Sequence, residues 1–221
     1  MIKNIIFDID GTLANTSDDI IDSLNVSLMK FGFKKKINLT KFKKIANKGS
    51  IHMIKEVLGK NNKTKEEEIN NFFLKNYEIN ICNKSKLKSD VLDFLKFCKK
   101  KKIKLFISTN KTEKNAKLLL MKLKILSFFD FVAGSDTFKY KKPNTLHLKY
   151  LNKLCNFKKN ETIFIGDTEI DSRAAKNYNI KFVLIKNGYT TLRTREISYN
   201  FCISNYDELR TILEEKSKLY Q

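Results

Sequence analysis

Five stretches of this chain read as short apolar runs, most of them closed by small, hydroxyl or acidic residues: 3–8, 104–109, 131–133, 162–167 and 181–186, with a weaker one at 201–204. Near-continuous apolar runs of this length are the pattern of strands buried on both faces of a parallel sheet. Helical spacing fills the gaps, as in residues 112–124 and in the series Leu146, Leu148, Tyr150, Leu151, Leu154. Strands alternating with helices predict an α/β chain with a doubly wound, Rossmann-like parallel sheet.

One interval breaks the alternation. About 90 residues separate the first run from the second, too many for a simple crossover. Ile20, Ile21, Leu24, Leu28 and Phe31 recur at helical spacing there, with Thr16 or Ser17 as cap and Asp18 and Asp19 in the first turn. Ile45, Met53, Ile54, Val57 and Leu58 continue the pattern, followed by Ile69, Phe72, Phe73 and Tyr77. The expectation is an inserted helical cap at 15–82, with the sheet domain made from 1–14 and 83–221.

The run ends carry the candidate chemistry. The first closes in Asp8-Ile9-Asp10-Gly11-Thr12. Charged side chains at the end of a buried strand are costly unless they bind a cation or react, and ligands of open α/β sheets sit at the carboxyl ends of the strands. In an extended strand Asp8 and Asp10 would share a face. Gly11 would bring backbone N–H groups close to a bound phosphate, and Thr12 would add a hydroxyl donor to it. Two carboxylates beside anion-binding donors are consistent around Mg²⁺, which bridges carboxylates to phosphates. A carboxylate can also attack phosphorus, with a second acid moving the proton.

The second run ends in Ser108-Thr109-Asn110-Lys111. Its hydroxyl suits a phosphate at a helix start, although Thr109 or Asn110 could simply cap the helix that follows. Lys142-Pro143 contains the chain's single proline. Proline at a first helical position would fix Lys142 at the helix entrance, within reach of phosphate oxygens. The fourth run ends in Gly166-Asp167-Thr168-Glu169-Ile170-Asp171, where Asp167 and Asp171 could face one locus. Asp171 also suits a helix N-terminus by charge alone. Four carboxylates in one pocket would raise one another's pKa values, and one Mg²⁺ with Lys142 would offset them.

Those four segments, in that order, resemble the haloacid dehalogenase-like hydrolase superfamily, whose motifs read D-x-D-G-T, strand plus Thr/Ser, Lys (often Lys-Pro) and G-D-x-x-x-D. The resemblance spans essentially the whole chain. It implies Asp8 as nucleophile, Asp10 as general acid/base and a metal ligand through its carbonyl, Thr109 and Asn110 as phosphoryl ligands, and Lys142 as charge stabiliser. Asp167 would bind Mg²⁺ directly, and Asp171 would support Lys142 or the metal's waters. The second acid favours phosphate over carbon–halogen substrates. The helical insertion, Thr137 and Gly188-Tyr189 look like the phosphoglycolate phosphatase/β-phosphoglucomutase branch, with Asn47-Lys48-Gly49-Ser50-Ile51-His52 as the cap's specificity loop. Thr145 stands where that branch often has a second proline, and the loop lacks the arginine of the mutases.

The expected activity is therefore Mg²⁺-dependent hydrolysis of a small phosphate monoester through an aspartyl-phosphate, with phosphoglycolate as the leading substrate. Sugar-phosphate phosphatase, pyrophosphatase, nucleotidase and β-phosphoglucomutase activities are the alternatives.

Composition adds one competing idea. The net charge of +20 invites a nucleic-acid or anionic-membrane binder. Lysine outnumbers arginine 40 to 4, however, whereas base-reading proteins lean on arginine's planar fork. The expected partner is a small phosphorylated metabolite, with no specific nucleic acid and no membrane, for a monomer or homodimer. Cys82, Cys98, Cys155 and Cys202 lack metal-type spacing. Free thiols and the absence of a signal-peptide pattern point to the cytoplasm.

Overall fold

The computed structural model describes residues 1–34, 36–59 and 65–218. The chain opens with β1 (Asn4–Phe7) and a short β2 (Ala14–Asn15), then passes into four helices, α1 (Ser17–Lys30), α2 (Leu39–Ile45), α3 (Ser50–Leu58) and α4 (Glu66–Asn80). It returns through β3 (Lys86–Leu87) to α5 (Val91–Lys100), β4 (Lys104–Ser108), α6 (Glu113–Lys122) and β5 (Phe131–Ala133). The last third runs α7 (Thr145–Cys155), β6 (Thr162–Gly166), α8 (Glu169–Tyr178), β7 (Lys181–Ile185), β8 (Phe201–Ile203) and α9 (Tyr206–Lys218).

Six parallel strands lie in the order β5-β4-β1-β6-β7-β8. Alternate side chains of the central strands enter two different cores. Ile5, Phe7, Leu105, Ile107, Ile163 and Ile165 join one, while Ile6, Phe106 and Phe164 join the other. The first core is closed by α5, α6 and α9 through Phe94, Leu119 and Tyr206. The second is closed by α7 and α8 through Leu148, Leu151 and Ala174. A sheet covered on both faces needs apolar residues at every strand position, which is why the runs show no alternation.

Register places the site. Phe7 is level with Ile107 on one side and Ile165 on the other. The residues after these three strands therefore leave the sheet at one edge, at the point where the strand order reverses. The four helices between β2 and β3 leave and rejoin this edge through an antiparallel pairing, Ala14 with Leu87 and Asn15 with Lys86. Ile20, Leu24 and Leu28 form the buried face of α1 and Ile69, Phe73 and Tyr77 that of α4, with Phe42 buried on α2 and Ile54 on α3.

Several local expectations are corrected. Pro143 is not the first residue of α7. Asn144 caps that helix, its side chain accepting from Leu146 N–H at 2.9 Å, and Pro143 precedes the cap in a cis peptide. Thr16 precedes α1, but its hydroxyl goes to Asp10 and makes no cap bond. The predicted specificity loop is mostly helical: residues 46–48 form a 3₁₀ turn and Ser50, Ile51 and His52 lie in α3, leaving Gly49 as the joint. Among the described residues no helix is long and apolar enough to cross a membrane.

Candidate active site

Asp8, Thr109, Lys142 and Asp171 line one cavity at the ends of the strands, and Asp167 is buried beside Asp8 and Asp171. Asp8 follows β1, and its N–H bonds to Ile165 O at 2.9 Å. Thr109 follows β4 and its N–H bonds to Ala133 O at 3.0 Å. Neither Thr109 nor Asn110 caps α6, whose cap position is Thr112. Thr109 is buried and lines the cavity; its hydroxyl oxygen accepts from Lys111 N–H at 3.3 Å, and its O–H can donate to a ligand.

Lys142 joins two of the acids. Its Nζ lies 2.8 Å from Asp8 Oδ1 and 2.6 Å from Asp171 Oδ1, and it donates to Ser108 O at 2.6 Å. Burial opposes the ammonium, but Asp171 and Asp8 outweigh it and raise the Lys142 pKa. Asn110 Nδ2 donates to Lys142 O at 3.1 Å, tying the two segments together. Asp171 Oδ2 accepts from Thr168 Oγ1 at 2.6 Å and from Thr168 N–H at 3.2 Å, a capping box that starts α8. Asp171 therefore serves the helix terminus and the lysine together.

Asp167 is fully buried. Thr12 Oγ1 donates to its Oδ1 at 2.8 Å, and Tyr189 N–H donates to its Oδ2 at 2.6 Å. The Thr12 hydroxyl is thus committed to Asp167, which departs from its expected role as a phosphate ligand. Gly11 and Gly188 pack against the same carboxylate so closely that a Cβ on either would lie 2.4 Å and 2.2 Å from Asp167 Oδ2. One oxygen each from Asp8, Asp167 and Asp171 falls within 4.8 Å of the others. Burial, followed by repulsion from Asp8 and Asp171, holds Asp167 well above the usual carboxylate range. Burial likewise raises Asp8, against the pull of Lys142. A buried all-oxygen trio with excess negative charge fits a hard divalent cation such as Mg²⁺.

Asp10 stands outside this trio. The strand ends at Phe7, and a tight turn follows in which Leu13 N–H bonds to Ile9 O at 2.9 Å. The alternation that would have paired Asp8 with Asp10 does not extend that far. Asp10 Oδ1 accepts from Thr16 Oγ1 at 2.6 Å, and its Oδ2 lies 3.1 Å from Lys111 Nζ. Lys111 also donates to Tyr77 OH on α4 at 2.9 Å. Burial pushes its pKa down, but Asp10 and Tyr77 outweigh that and raise it. The sequence offered one signal for Lys111, its place directly after Thr109-Asn110, and that was insufficient among 40 lysines.

Gly49 and Ser50 line the same cavity, whereas Lys48 is exposed and reaches Lys141 Nζ through its carbonyl at 2.9 Å. The Asn47 side chain lies outside the described part of the structure. Apolar residues from the inserted helices, including Ile20, Phe42, Met53 and Phe73, close the cavity's far wall.

A family model described as haloacid dehalogenase-like hydrolase matches residues 5–185. A phosphoglycolate phosphatase of Mesorhizobium japonicum is 31% identical over 216 residues, covering 96% of this chain and 95% of the relative. One from Aquifex aeolicus is 30% identical, covering 86% and 88%. Among solved structures, a predicted phosphoglycolate phosphatase from Haemophilus somnus superimposes with a TM-score of 0.87 at 22% identity, covering 96% of this chain and 98% of that one. CbbY from Rhodobacter sphaeroides, in complex with phosphate, gives 0.83 at 19% identity, covering 95% and 96%. At these identities the two structures speak for the fold.

Proposed function

This chain belongs to the haloacid dehalogenase-like hydrolases and is a phosphatase, and we propose that it hydrolyses a small phosphate monoester, phosphoglycolate first among them, through an aspartyl-phosphate on Asp8. The observation that carries this reading is the unequal pairing of the two motif acids. Asp8 is held by Lys142 inside the acidic trio, whereas Asp10 is held by Lys111 and Thr16 beside it. Carboxylates in different environments take different roles.

Lys142 occupies Asp8 Oδ1, so attack falls to Oδ2. The Asp8 oxygen forms a bond to phosphorus while the bond to the ester oxygen breaks, and Asp10 delivers its proton to the departing alkoxide. Asp10 then takes a proton from water as that water's oxygen attacks phosphorus, releasing phosphate and restoring the Asp8 carboxylate. Thr109 donates to the phosphoryl oxygens, and Lys142 balances their charge. Asp171 keeps Lys142 in place. Asp167, Asp8 and the backbone carbonyl of Asp10 would hold Mg²⁺, which when bound supplies charge neutralisation at the phosphoryl group. The helices at 15–82 act as a cap that encloses the leaving group, with Gly49 and Ser50 presented to it.

Phosphoglycolate leads because relatives 31% and 30% identical to this chain carry that activity in their names. Phosphate release from phosphoglycolate, sugar phosphates, nucleotides and pyrophosphate tests the reading. Release is expected from phosphoglycolate, lost in EDTA and restored by Mg²⁺. Metal-independent release contradicts the metal assignment. Conversion of a sugar 1-phosphate to its 6-phosphate without phosphate release establishes a mutase instead.

A further inference from the structure

Lys111 is a cation with 6% of its side chain exposed, set in the wall of the catalytic cavity. Burying an ammonium is unfavourable unless its donors are met. A lysine has three N–H donors and no acceptor. One of them faces Asp10 Oδ2 at 3.1 Å and one goes to Tyr77 OH at 2.9 Å. The Nζ also lies 4.5 Å from the centroid of the Tyr77 ring, which fixes it against α4. One donor remains. The wall that the inserted helices supply to the cavity is apolar, with Ile20, Phe42, Met53, Phe73 and Leu74, while Thr109, Asn110, Thr112 and Asn115 line it on the Lys111 side. Lys142, the other lysine of this cavity, is already met by Asp8, Asp171 and Ser108.

Resting on the roles given above to Asp8 and Asp10, we infer that Lys111 selects the substrate, binding a carboxylate on the carbon next to the ester oxygen through its third N–H. The reach agrees. A leaving oxygen hydrogen-bonded to Asp10 Oδ2 at about 2.8 Å stands no more than about 6 Å from the Lys111 ammonium, which is itself 3.1 Å from that oxygen. A carboxylate one carbon from the ester oxygen has its own oxygens about 3 Å away, and a charge-assisted bond of about 2.8 Å closes the gap. An anionic group several carbons further along overshoots the lysine and meets the apolar wall. A neutral alcohol leaves the third donor buried and unmet, which costs binding. Lys111 thereby discriminates for short phosphorylated acids.

The test compares 2-phosphoglycolate with ethyl phosphate, which has similar size and no carboxylate. The wild type is expected to favour phosphoglycolate by at least about 30-fold in kcat/KM, the range of a charge-assisted bond. Lys111→Met should erase most of that preference, chiefly through KM for phosphoglycolate, and Lys111→Arg should recover part of it. Equal proportional losses on both esters overturn the inference, because Lys111 would then act only through Asp10 or the fold. A wild type that does not discriminate overturns it too, while leaving the phosphatase reading intact. A wild type that hydrolyses neither ester overturns the phosphatase reading itself. If the Met variant fails to fold by circular dichroism, the wild-type preference and Lys111→Gln decide the question.

Discussion

Lys142 Nζ lies 2.6 Å from Asp171 Oδ1, and both side chains are 2% exposed. The pair joins the segment before α7 to the first turn of α8, and so fixes the lysine that touches Asp8. Removing one member of a buried pair leaves the other charge uncompensated, at about 3–5 kcal/mol. Asp171→Asn is expected to lower kcat by about 10- to 100-fold, the worth of a misplaced charge-assisted contact. Substrate KM should change far less, and the melting temperature should fall by several degrees. A kcat within twofold of wild type would show that Asp8 and Ser108 position Lys142 unaided.

The acidic trio makes stability depend on pH in a specific direction. Burial and the neighbouring carboxylates raise Asp167 from 3.8 to about 8. A carboxyl with a folded pKa above its unfolded value binds its proton more tightly when folded. Its contribution is fully present below about pH 4 and is lost as pH rises through about 8. In EDTA, Asp167→Asn should therefore gain on the wild type in melting temperature between pH 5 and pH 8.5, by several degrees. Adding Mg²⁺ should stabilise the wild type and not the variant. Parallel pH curves for the two proteins in EDTA would contradict the buried placement of this charge.

Gly188 supplies a third prediction through space alone. A Cβ there would meet Asp167 Cβ and Oδ2 at 2.2 Å, and the carboxylate would have to move. Gly188→Ala is expected to raise the Mg²⁺ concentration for half-maximal activity by at least about tenfold, as losing the orientation of a metal ligand does. Gly32→Ala is the comparison, since Gly32 has φ +81° but open space around it. That change should cost about 1–2 kcal/mol of stability and leave the Mg²⁺ requirement alone. Equal Mg²⁺ requirements for the two variants would contradict the account.

Much of this arrangement was legible along the chain because strands buried on both faces cannot hide their ends. The runs predicted at 104–109 and 162–167 end within one residue of β4 and β6, and the candidate site residues follow where each apolar run stops. The helices of the insertion were likewise legible from Ile20, Leu24 and Leu28 and from Ile69, Phe73 and Tyr77, all buried at helical spacing.

What was not legible depended on side-chain partners distant in sequence. The Thr12 hydroxyl looked like a phosphate donor and turned out to serve Asp167, 155 residues away. Asp10 looked paired with Asp8 by strand alternation, but the strand ends at Phe7 and the turn sends Asp10 to Lys111 and Thr16. Lys111 itself was one lysine among 40, and only its burial against Tyr77 separates it from the solvated ones. Pro143 suggested a helix start at the wrong residue, because Asn144 provides the cap.

The central claim is that Asp8 attacks phosphorus, and turnover of p-nitrophenyl phosphate by Asp8→Asn tests it most directly. This substrate has a good leaving group, so it relies little on Asp10 or on the cap. With the fold verified by circular dichroism, the variant is expected to retain less than about one ten-thousandth of wild-type kcat, in line with the loss of a covalent nucleophile. A folded Asp8→Asn protein that keeps a tenth or more of that turnover would remove Asp8 as the nucleophile.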